Sequence, residues 1–285
     1  MVPEIPKGHK AVDTTWVYDT KRDKEGNLLR RRARKVGRGF TQEYGKTYED
    51  TYSQMARSET WWILLTLAIQ NKWYVRQWDV VAAYLNPPLT YEVYVKDWEE
   101  YWYLHRALYG LKQASHKWYN TLRDIMTKSG LLQSIGDPGV FFKKRSIIMA
   151  THVDDMAAFA PEKPTIEEIE SKIKHHVELE KLGTPAKLRE MELRWESEHV
   201  KLTQKTAIDN LVKEFGVALT VPTKSLPLNA NDYAEIQEEA DPELQRKYQS
   251  LVGSHLYIAR HTRPEISLHI NLSGRRTSKP TQLHF

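Results

Sequence analysis

Apolar and polar residues alternate along several short segments of the chain, and this pattern predicts strands. Residues 14–39 alternate on either side of 24–27, whose composition is typical of a turn, so a hairpin is predicted there. A strand is predicted over 73–79, and an extended aromatic segment over 91–105. A further hairpin is predicted over 188–202.

Apolar residues recur at helical spacing in other segments. Helices are therefore predicted over about 57–70, 113–128, 166–181, 204–215 and 242–260. The polar segment 220–240, rich in proline and asparagine, is predicted to be a linker. This mixture of hairpins and helices predicts an α+β fold.

Two of these helices carry more detailed expectations. In the helix over 57–70, three residues are predicted to form the buried face: Trp62, Leu65 and Ile69. Thr165 and Glu168 are predicted to form a capping box at the start of the helix over 166–181, and Gly183 to end it.

Three carboxylates occupy predicted strand ends. Asp154 and Asp155 lie between the apolar runs 147–153 and 156–160, which are predicted to be strands, and Asp79 ends an earlier one. Adjacent carboxylates repel each other unless a cation holds them. Three carboxylates in such positions are typical of a two-metal phosphoryl-transfer site. An Asp-Asp pair by itself is more often a solvated turn, and that alternative stays open.

Composition narrows the class of protein. The chain has 42 Lys and Arg against 37 Asp and Glu and no cysteine, which excludes disulfides and thiolate metal sites. Basic residues over 30–38 predict a strand with an arginine face that would attract phosphate backbones, although most basic runs are only solvated surface. No run is long enough to span a membrane, and no signal-peptide pattern begins the chain.

Three motifs, with others in the same order, resemble one family. They are Q-W-D-V-V-A-A-Y-L-N over 77–86, R-A-L-Y-G-L-K-Q-A over 106–114 and H-V-D-D over 152–155. Together they resemble the reverse transcriptase of copia-type long-terminal-repeat retrotransposons, over roughly 3–280 of the chain.

The resemblance implies a right-hand polymerase fold. Residues 1–75 and 88–118 would form the fingers, 76–87 and 119–195 the palm, and 196–285 the thumb and the start of a connection. No ribonuclease H, protease or integrase domain of the family is expected within the chain. The implied partners are an RNA or DNA template with its primer and deoxynucleoside triphosphates, inside the cell, either in cytoplasmic particles or in the nucleus. No membrane is implied, and the oligomeric state is left open.

The resemblance also implies the roles of individual residues. Asp79, Asp154 and Asp155 would hold two Mg²⁺ ions, for which Mn²⁺ is a substitute, with help from the carbonyl of Val80. The ring of Tyr84 would lie under the incoming sugar and exclude a 2′-hydroxyl. Other residues are expected to contact the nucleotide or template: Arg32, Arg34, Arg38, Tyr109, Gly110, Lys112 and Gln113. Arg189 and Glu190 would lie in the hairpin that grips the primer end.

Several positions depart from the family pattern. The family has proline where Gln54 and Ser115 stand, tyrosine at His152, and a Leu-Gly pair at Arg189-Glu190, and the loop within 95–104 is shorter. These departures favour a decayed copy of the enzyme. Three hypotheses therefore stay open: an RNA-directed DNA polymerase, a catalytically inactive nucleic-acid-binding remnant of one, and a decayed chain that folds poorly.

Overall fold

The computed structural model describes residues 1–22, 27–189, 191–216 and 241–281. The chain forms two compact units, Met1–Pro185 and Ala186–Phe285. Both combine helices with antiparallel strands, so the predicted mixture of α and β structure is confirmed. Among the described residues no helix is long and apolar enough to cross a membrane.

The first unit begins with a four-stranded sheet. Its strands are β1 (Ala11–Arg22), β2 (Leu28–Gly37), β4 (Tyr94–Asp97) and β5 (Glu100–Tyr103), in the order β2-β1-β4-β5. β1 and β2 pair antiparallel, which confirms the predicted hairpin, while its predicted turn over 24–27 lies almost wholly outside the described residues. β4 pairs only with residues 11–13 of β1, whereas β2 pairs with residues 14–22, so the hairpin extends beyond the other two strands as a two-stranded ribbon.

A six-stranded antiparallel sheet forms the centre of the first unit, in the order β10-β3-β9-β8-β7-β6. Its strands are β3 (Tyr74–Val80), β6 (Leu132–Gln133), β7 (Val140–Lys143), β8 (Ile147–His152), β9 (Asp155–Ala160) and β10 (Leu179–Gly183). The unit's helices are α1 (Ser58–Gln70), α2 (Ala114–Lys128) and α3 (Lys163–Lys174). Residues of α2 and α3 join residues of the sheet in one buried cluster, which includes Trp78, Trp118 and Ile169. Short 3₁₀ turns cover Gly39–Thr41 and Ala83–Leu85.

The prediction for the third helix is partly wrong. α3 begins at Lys163, so Thr165 and Glu168 lie inside it and form no capping box; Glu168 instead pairs with Lys172. The helix ends at Lys174, and residues 179–183 form β10 against β3. Backbone hydrogen bonds between β10 and β3 are tertiary interactions, and they outweigh the apolar spacing that favoured a longer helix.

The predicted buried face of α1 is rotated by about one residue. Trp61, Leu64, Leu65 and Ala68 are buried, whereas Trp62 and Ile69 are only half-buried. Two consecutive tryptophans fit either rotation, so periodicity alone does not choose between them. The choice is made by packing, since α1 lies against β9.

The second unit contains a three-stranded sheet and helices. The sheet has the order β11-β12-β13, formed by β11 (Lys187–Leu188), β12 (Met191–Trp195) and β13 (Val200–Thr203). The predicted hairpin over 188–202 and the two predicted helices are confirmed; the helices are α4 (Lys205–Phe215) and α5 (Pro242–His261), followed by a 3₁₀ turn and α6 (Ser267–Gly274). The predicted linker over 220–240 lies outside the described residues.

A carboxylate of the second unit caps a helix. Glu192 accepts hydrogen bonds from the backbone amides of Lys205 and Thr206, at 3.0 Å each, where α4 begins. Burial alone would raise the pKa of Glu192, but hydrogen bonds from Thr206, Thr203 and Lys205 outweigh burial and lower the pKa to about 2.

Candidate functional site

The three aspartates of the sequence patterns lie near one another in the six-stranded sheet, where β3 ends and β9 begins. Asp79 at the end of β3 lies directly opposite Asp155 at the start of β9 in antiparallel register. Directly opposed residues of antiparallel strands share a face of the sheet. Asp154 lies in the turn before β9, and its carbonyl oxygen accepts a hydrogen bond from the amide of Val80 at 3.0 Å. The fold thus joins residues about 75 positions apart.

The turn that carries Asp154 has a strained backbone and accepts a hydrogen bond from helix α2. Val153 has φ of 60°, which is unfavourable for a β-branched residue and typically costs about 1–3 kcal/mol. The indole Nε1 of Trp118 on α2 donates a hydrogen bond to the Val153 carbonyl at 2.6 Å. At its helical spacing with Leu122 and Ile125, Trp118 fits an ordinary buried core residue, and the sequence contains no signal for this hydrogen bond.

A cleft of about 800 Å³ opens in front of Asp79 and Asp154. Both carboxylates line this cleft together with Val80 and Tyr109. The opposite wall is strand β2, which contributes the basic residues Arg30, Arg31, Arg32, Arg34 and Lys35. A volume of this size is typical of a site that admits a nucleotide-sized ligand. Basic groups facing carboxylates across one cleft suit a ligand that carries phosphates and cations together.

Side-chain direction divides the basic residues of β2. Successive strand residues point to opposite faces, so Arg30, Arg32 and Arg34 share one face. The Arg34 guanidinium lies 5.9 Å from the centre of the Tyr109 ring, which identifies this face as the one turned to the cleft. Arg38 differs from these three: it follows β2, its guanidinium lies 5.0 Å from the Phe40 ring centre, and it does not line the cleft.

Two tyrosines form an aromatic corner beside the carboxylates. The rings of Tyr84 and Tyr109 meet edge to face with centres 5.2 Å apart. Burial raises the pKa of both hydroxyls, and the negative charge of Asp154 raises both further, while Arg34 partly offsets this at Tyr109. Both phenols therefore stay protonated near neutral pH and could each donate a hydrogen bond to a ligand.

Gly110 is required for close packing within the protein. Its φ of 84° favours glycine, and an added Cβ would lie 2.2 Å from the Gly37 carbonyl oxygen. The Gly37 amide also donates to the Tyr109 carbonyl at 2.7 Å. The close approach expected to involve a nucleotide or template is here made to the end of β2, which holds Tyr109 beside the arginine strand.

Lys112 and Gln113 belong to a hydrogen-bond network away from the cleft. The buried Gln113 donates to the Thr47 carbonyl at 3.0 Å and accepts from Gln42 at 3.0 Å. The Lys112 Nζ lies 3.1 Å from the Tyr48 hydroxyl and 4.7 Å from the centre of that ring. Neither Lys112 nor Gln113 lines the cleft, so their contacts fix the loop at the start of α2.

The carboxylates differ in their availability to a metal. Asp79 and Asp154 line the cleft, whereas Asp155 accepts a hydrogen bond from Gln77 Nε2 at 3.2 Å and does not. Within residues 1–22, 27–189, 191–216 and 241–281, no three His, Asp or Glu side chains are grouped to hold a metal ion. Two carboxylates still fit Mg²⁺, because it commonly takes one or two protein carboxylates and completes its shell with substrate phosphates and water.

The cleft contains two further carboxylates that the sequence patterns do not indicate. Glu178 and Glu180 line it, and Glu180 lies directly opposite Asp79 on the strand flanking β3. Because 166–181 was predicted as a helix, the alternation that brings both glutamates to one face was missed. Their charges add to the negative potential around Asp79.

Of the remaining predicted residues, His152 and Arg189 do not line the cleft. His152 ends β8 opposite Asp155. Arg189 lies in the second unit, where its carbonyl accepts a hydrogen bond from the Tyr257 hydroxyl at 2.8 Å. Glu190 lies outside the described residues.

Comparison with known proteins identifies the family. The model of the reverse transcriptase (RNA-dependent DNA polymerase) family matches residues 1–230. The chain belongs to the reverse transcriptase family. The predicted copia-type resemblance is confirmed by its relatives in plant retrotransposons.

The chain is similar to longer Pol polyproteins of plant transposons. It is 28% identical over 302 residues to the retrovirus-related Pol polyprotein from transposon TNT 1-94 of Nicotiana tabacum, covering 99% of the chain and 23% of that relative. It is 30% identical over 304 residues to the polyprotein from transposon RE2 of Arabidopsis thaliana, covering 100% of the chain and 20% of that relative. The chain thus spans about a fifth of the length of these polyproteins.

Proposed function

We propose that this chain is the RNA-directed DNA polymerase domain of a copia-type retrotransposon polyprotein. The observation that carries the proposal is the cleft in which Asp79 and Asp154 face the arginines of β2. Membership of the reverse transcriptase family supports the reaction, and the cleft supports its location. In this proposal the domain has a right-hand fold, with fingers over 1–75 and 88–118, palm over 76–87 and 119–195, and thumb with the start of a connection beyond.

In this proposal, different residues of the cleft serve different steps of nucleotide addition. Bound Mg²⁺ or Mn²⁺ would supply activation of the primer 3′-hydroxyl and neutralisation of charge on the reacting phosphate. Asp79 and Asp154 would hold the ions with the Val80 carbonyl, and Asp155 would steady the site through its contact with Gln77. Arg32 and Arg34 would orient the triphosphate by charge-assisted hydrogen bonds.

Other residues would contact the sugar of the incoming nucleotide and the end of the primer. Tyr84 packs against both hydrophobic clusters of the first unit, and it is close enough to Asp154 for that charge to raise the pKa of its hydroxyl further after burial. In the proposal this ring lies under the incoming sugar. Tyr109 would form the other side of that pocket. Arg189 and Glu190 would contact the primer end, as the family pattern implies.

A catalytically inactive nucleic-acid-binding remnant is the second candidate. It is favoured by the missing three-carboxylate group among the described residues and by the engagement of Asp155 with Gln77. One departure argues against decay, because Gln54 accepts a hydrogen bond from the Tyr119 hydroxyl at 2.6 Å and is integrated into the fold.

Primer extension on poly(rA)·oligo(dT) with Mg²⁺ or Mn²⁺ separates the two candidates. The polymerase hypothesis predicts extension by wild type and loss of extension in Asp79→Asn. Asp124→Asn, an exposed carboxylate of α2, is the matched control and should extend like wild type. Primer–template binding is measured on the same samples by fluorescence anisotropy. Salt-sensitive binding without extension in either metal would establish the remnant, and absence of both would overturn both candidates.

A further inference from the structure

The turn between β4 and β5 carries an exposed tryptophan in a strained backbone conformation. Trp98 is 84% exposed, and its φ of 58° lies in the left-handed region that favours glycine. A two-residue hairpin turn with positive φ at its first position normally has glycine there. Strain of this kind persists mainly where the side chain at the strained position has a function. The exposed ring therefore calls for a partner.

Carboxylates flank this ring on both sides. Asp97 precedes it and pairs with Lys35, while Glu99 and Glu100 follow it. Glu99 and Glu100 are exposed, and neither forms an ion pair with any residue that the structure describes. Negative charges repel phosphates, so this turn suits a partner that offers an apolar surface and positive charges. We call residues 97–100 the acidic tip.

A groove with matching properties lies beside the turn between β7 and β8. Its volume is about 330 Å³, which leaves room for one indole ring. Phe142 lies opposite Ile148, and Ile148 lies opposite Phe159, so these apolar side chains share one face of the six-stranded sheet. Trp73 and Pro161 complete the apolar lining. We call this surface the β7–β8 groove.

The rim of the β7–β8 groove is basic. Three consecutive residues of the turn line it: Lys143, Lys144 and Arg145. Lys144 and Arg145 are exposed, and neither forms an ion pair within the part of the chain that the structure describes. None of the described residues lines both this groove and the cleft in front of Asp79. The groove is therefore a separate surface, and its charge is opposite to that of the acidic tip.

We propose that the acidic tip of one copy of the chain docks into the β7–β8 groove of a second copy. The ring of Trp98 lies in the apolar groove, and the carboxylates of the tip meet the basic rim. An aromatic anchor in an apolar pocket with complementary charges around it is the usual arrangement of a protein interface. The contact goes beyond the proposed polymerase reaction and does not depend on it.

The proposed contact is head to tail, because the tip and the groove are different surfaces of the same chain. Such a contact repeats from copy to copy and gives open chains or a closed ring. One ring with its flanking carboxylates buries less area than a stable dimer needs, so the association should be weak and reversible. Because charges contribute to it, added salt should weaken it further.

Sedimentation velocity of the full chain at about 10–500 μM tests the association. Wild type should show an average mass that rises with concentration and falls with salt. Trp98→Gly should weaken the association roughly 30-fold or more. Because glycine accepts the φ of this position, the variant should melt no earlier than wild type, so its loss of association is not a loss of folding. Tyr52→Ala removes an aromatic residue that is 74% exposed and should associate like wild type.

Charge reversal tests the polar part of the contact. Glu99→Lys and Lys144→Glu should each weaken the association roughly two- to tenfold, since each places like charges together. The two substitutions combined in one chain should recover much of the loss, because opposite charges then meet again. Lys201→Glu, at an exposed position of β13, is the matched control and should associate like wild type.

A mixture of two variants tests the head-to-tail geometry. Trp98→Gly lacks a working tip and keeps its groove, whereas a chain with Lys144→Glu and Arg145→Glu keeps its tip and lacks a working rim. Each should be largely monomeric alone. Mixed in equal amounts, they retain one intact contact and should form a dimer of one copy of each, with nothing larger.

Several outcomes would overturn the proposal. These are a wild type that stays monomeric at every concentration, unchanged association in Trp98→Gly, an equal loss in Tyr52→Ala, and a mixture that forms no dimer. A monomeric wild type whose oligo(dT) binding is weakened by Lys144→Glu would assign the basic rim to nucleic acid instead. The polymerase proposal is scored separately, since Asp79→Asn should abolish extension and associate like wild type.

Discussion

The amide of Val80 donates a hydrogen bond to the carbonyl of Asp154 at 3.0 Å. This single bond ties the end of β3 to the turn between β8 and β9. Because Asp79 precedes Val80, the bond also constrains the backbone positions from which the two cleft carboxylates project. A substitution that lets the turn relax should move the two carboxylates relative to each other even when the fold is unchanged. A displacement of about 1 Å at a reacting centre can lower the rate roughly a hundredfold.

Trp118→Phe should therefore lower the rate of primer extension strongly and the free energy of unfolding only modestly. The variant loses the hydrogen bond from the indole to the Val153 carbonyl and keeps an aromatic ring in the core. We expect about 1–2 kcal/mol of lost stability and a fall in extension of about tenfold or more. Thermal melting and primer extension measure both. Trp102→Phe, a 40% exposed tryptophan of β5, should change neither, and a loss confined to stability would refute the positioning role.

Tyr84→Ala tests whether this ring selects the sugar. If the ring occupies the space of a 2′-hydroxyl, the variant should incorporate ribonucleotides while primer–template affinity stays unchanged. If Tyr84 only packs the core, truncation should cost stability, up to about 3–5 kcal/mol for a fully buried aromatic, and remove activity without changing sugar choice. Ribo- and deoxyribonucleotide incorporation and melting temperature are compared on one sample, with Tyr84→Phe as the control.

Arg34 and Arg38 should differ in their effect on nucleic-acid binding. Arg34 faces the cleft, so Arg34→Ala should weaken primer–template binding and reduce the salt slope by about 0.9 for each lost phosphate contact. Arg38 stacks near Phe40 outside the cleft, so Arg38→Ala should leave the slope unchanged. Anisotropy titrations at several salt concentrations give both slopes. A larger effect of Arg38→Ala would mean that the duplex meets the segment that follows β2 and not the cleft-facing arginines.

Glu170 should govern the acid stability of the first unit. This carboxylate is 3% exposed and pairs with Arg76, Lys174 and Lys181 at 3.1, 2.9 and 2.6 Å. Burial alone would raise the pKa of Glu170, but these partners outweigh it and lower the pKa to about 2 from an ordinary value near 4.5. Because the folded-state pKa is depressed, the stabilisation is present above pH 4.5 and is lost as the pH falls towards 2.

Glu170→Gln is the corresponding variant. Breaking a buried ion pair costs about 3–5 kcal/mol, and the half-exposed lysines here reduce that to roughly 1–3 kcal/mol. The variant should also unfold with a shallower pH dependence between pH 4.5 and 2, measured by denaturant titration at each pH. Glu168→Gln, an exposed carboxylate on the same helix, should retain wild-type stability at neutral pH. Parallel pH profiles for wild type and Glu170→Gln would contradict the assignment.

Reversion of two departures tests the decay hypothesis. His152→Tyr and Glu190→Gly together restore the family residues, remove a negative charge expected beside the primer and replace the imidazole ring opposite Asp155. We expect the double variant to extend primers faster than wild type, at unchanged primer–template affinity. Equal extension rates would show that these departures do not limit the enzyme.

Local patterns predicted those elements whose partners are close in sequence. The β8–β9 hairpin follows from two apolar runs around an acidic pair, and α2 follows from Trp118, Leu122 and Ile125 at helical spacing with Gly130 after its end. The start of α5 follows from Asp241, whose side chain accepts from the Glu243 amide at 2.9 Å, with proline next. In each case the residues that decide the structure are neighbours in the chain.

Tertiary structure decided what depended on distant partners. Residues 179–183 carry helix-compatible spacing, yet they form β10 because β3 offers unpaired backbone groups at its edge. The same pairing brings Glu180 opposite Asp79, which no local pattern indicates. Gly110 and Gln113 were predicted from a motif to meet a ligand, and packing against Gly37 and Thr47 explains both. The sequence by itself determined the family, the acidic turn and the arginine strand. Only the fold could bring the strand and the turn to one cleft, because Arg34 and Asp154 are 120 positions apart in the chain.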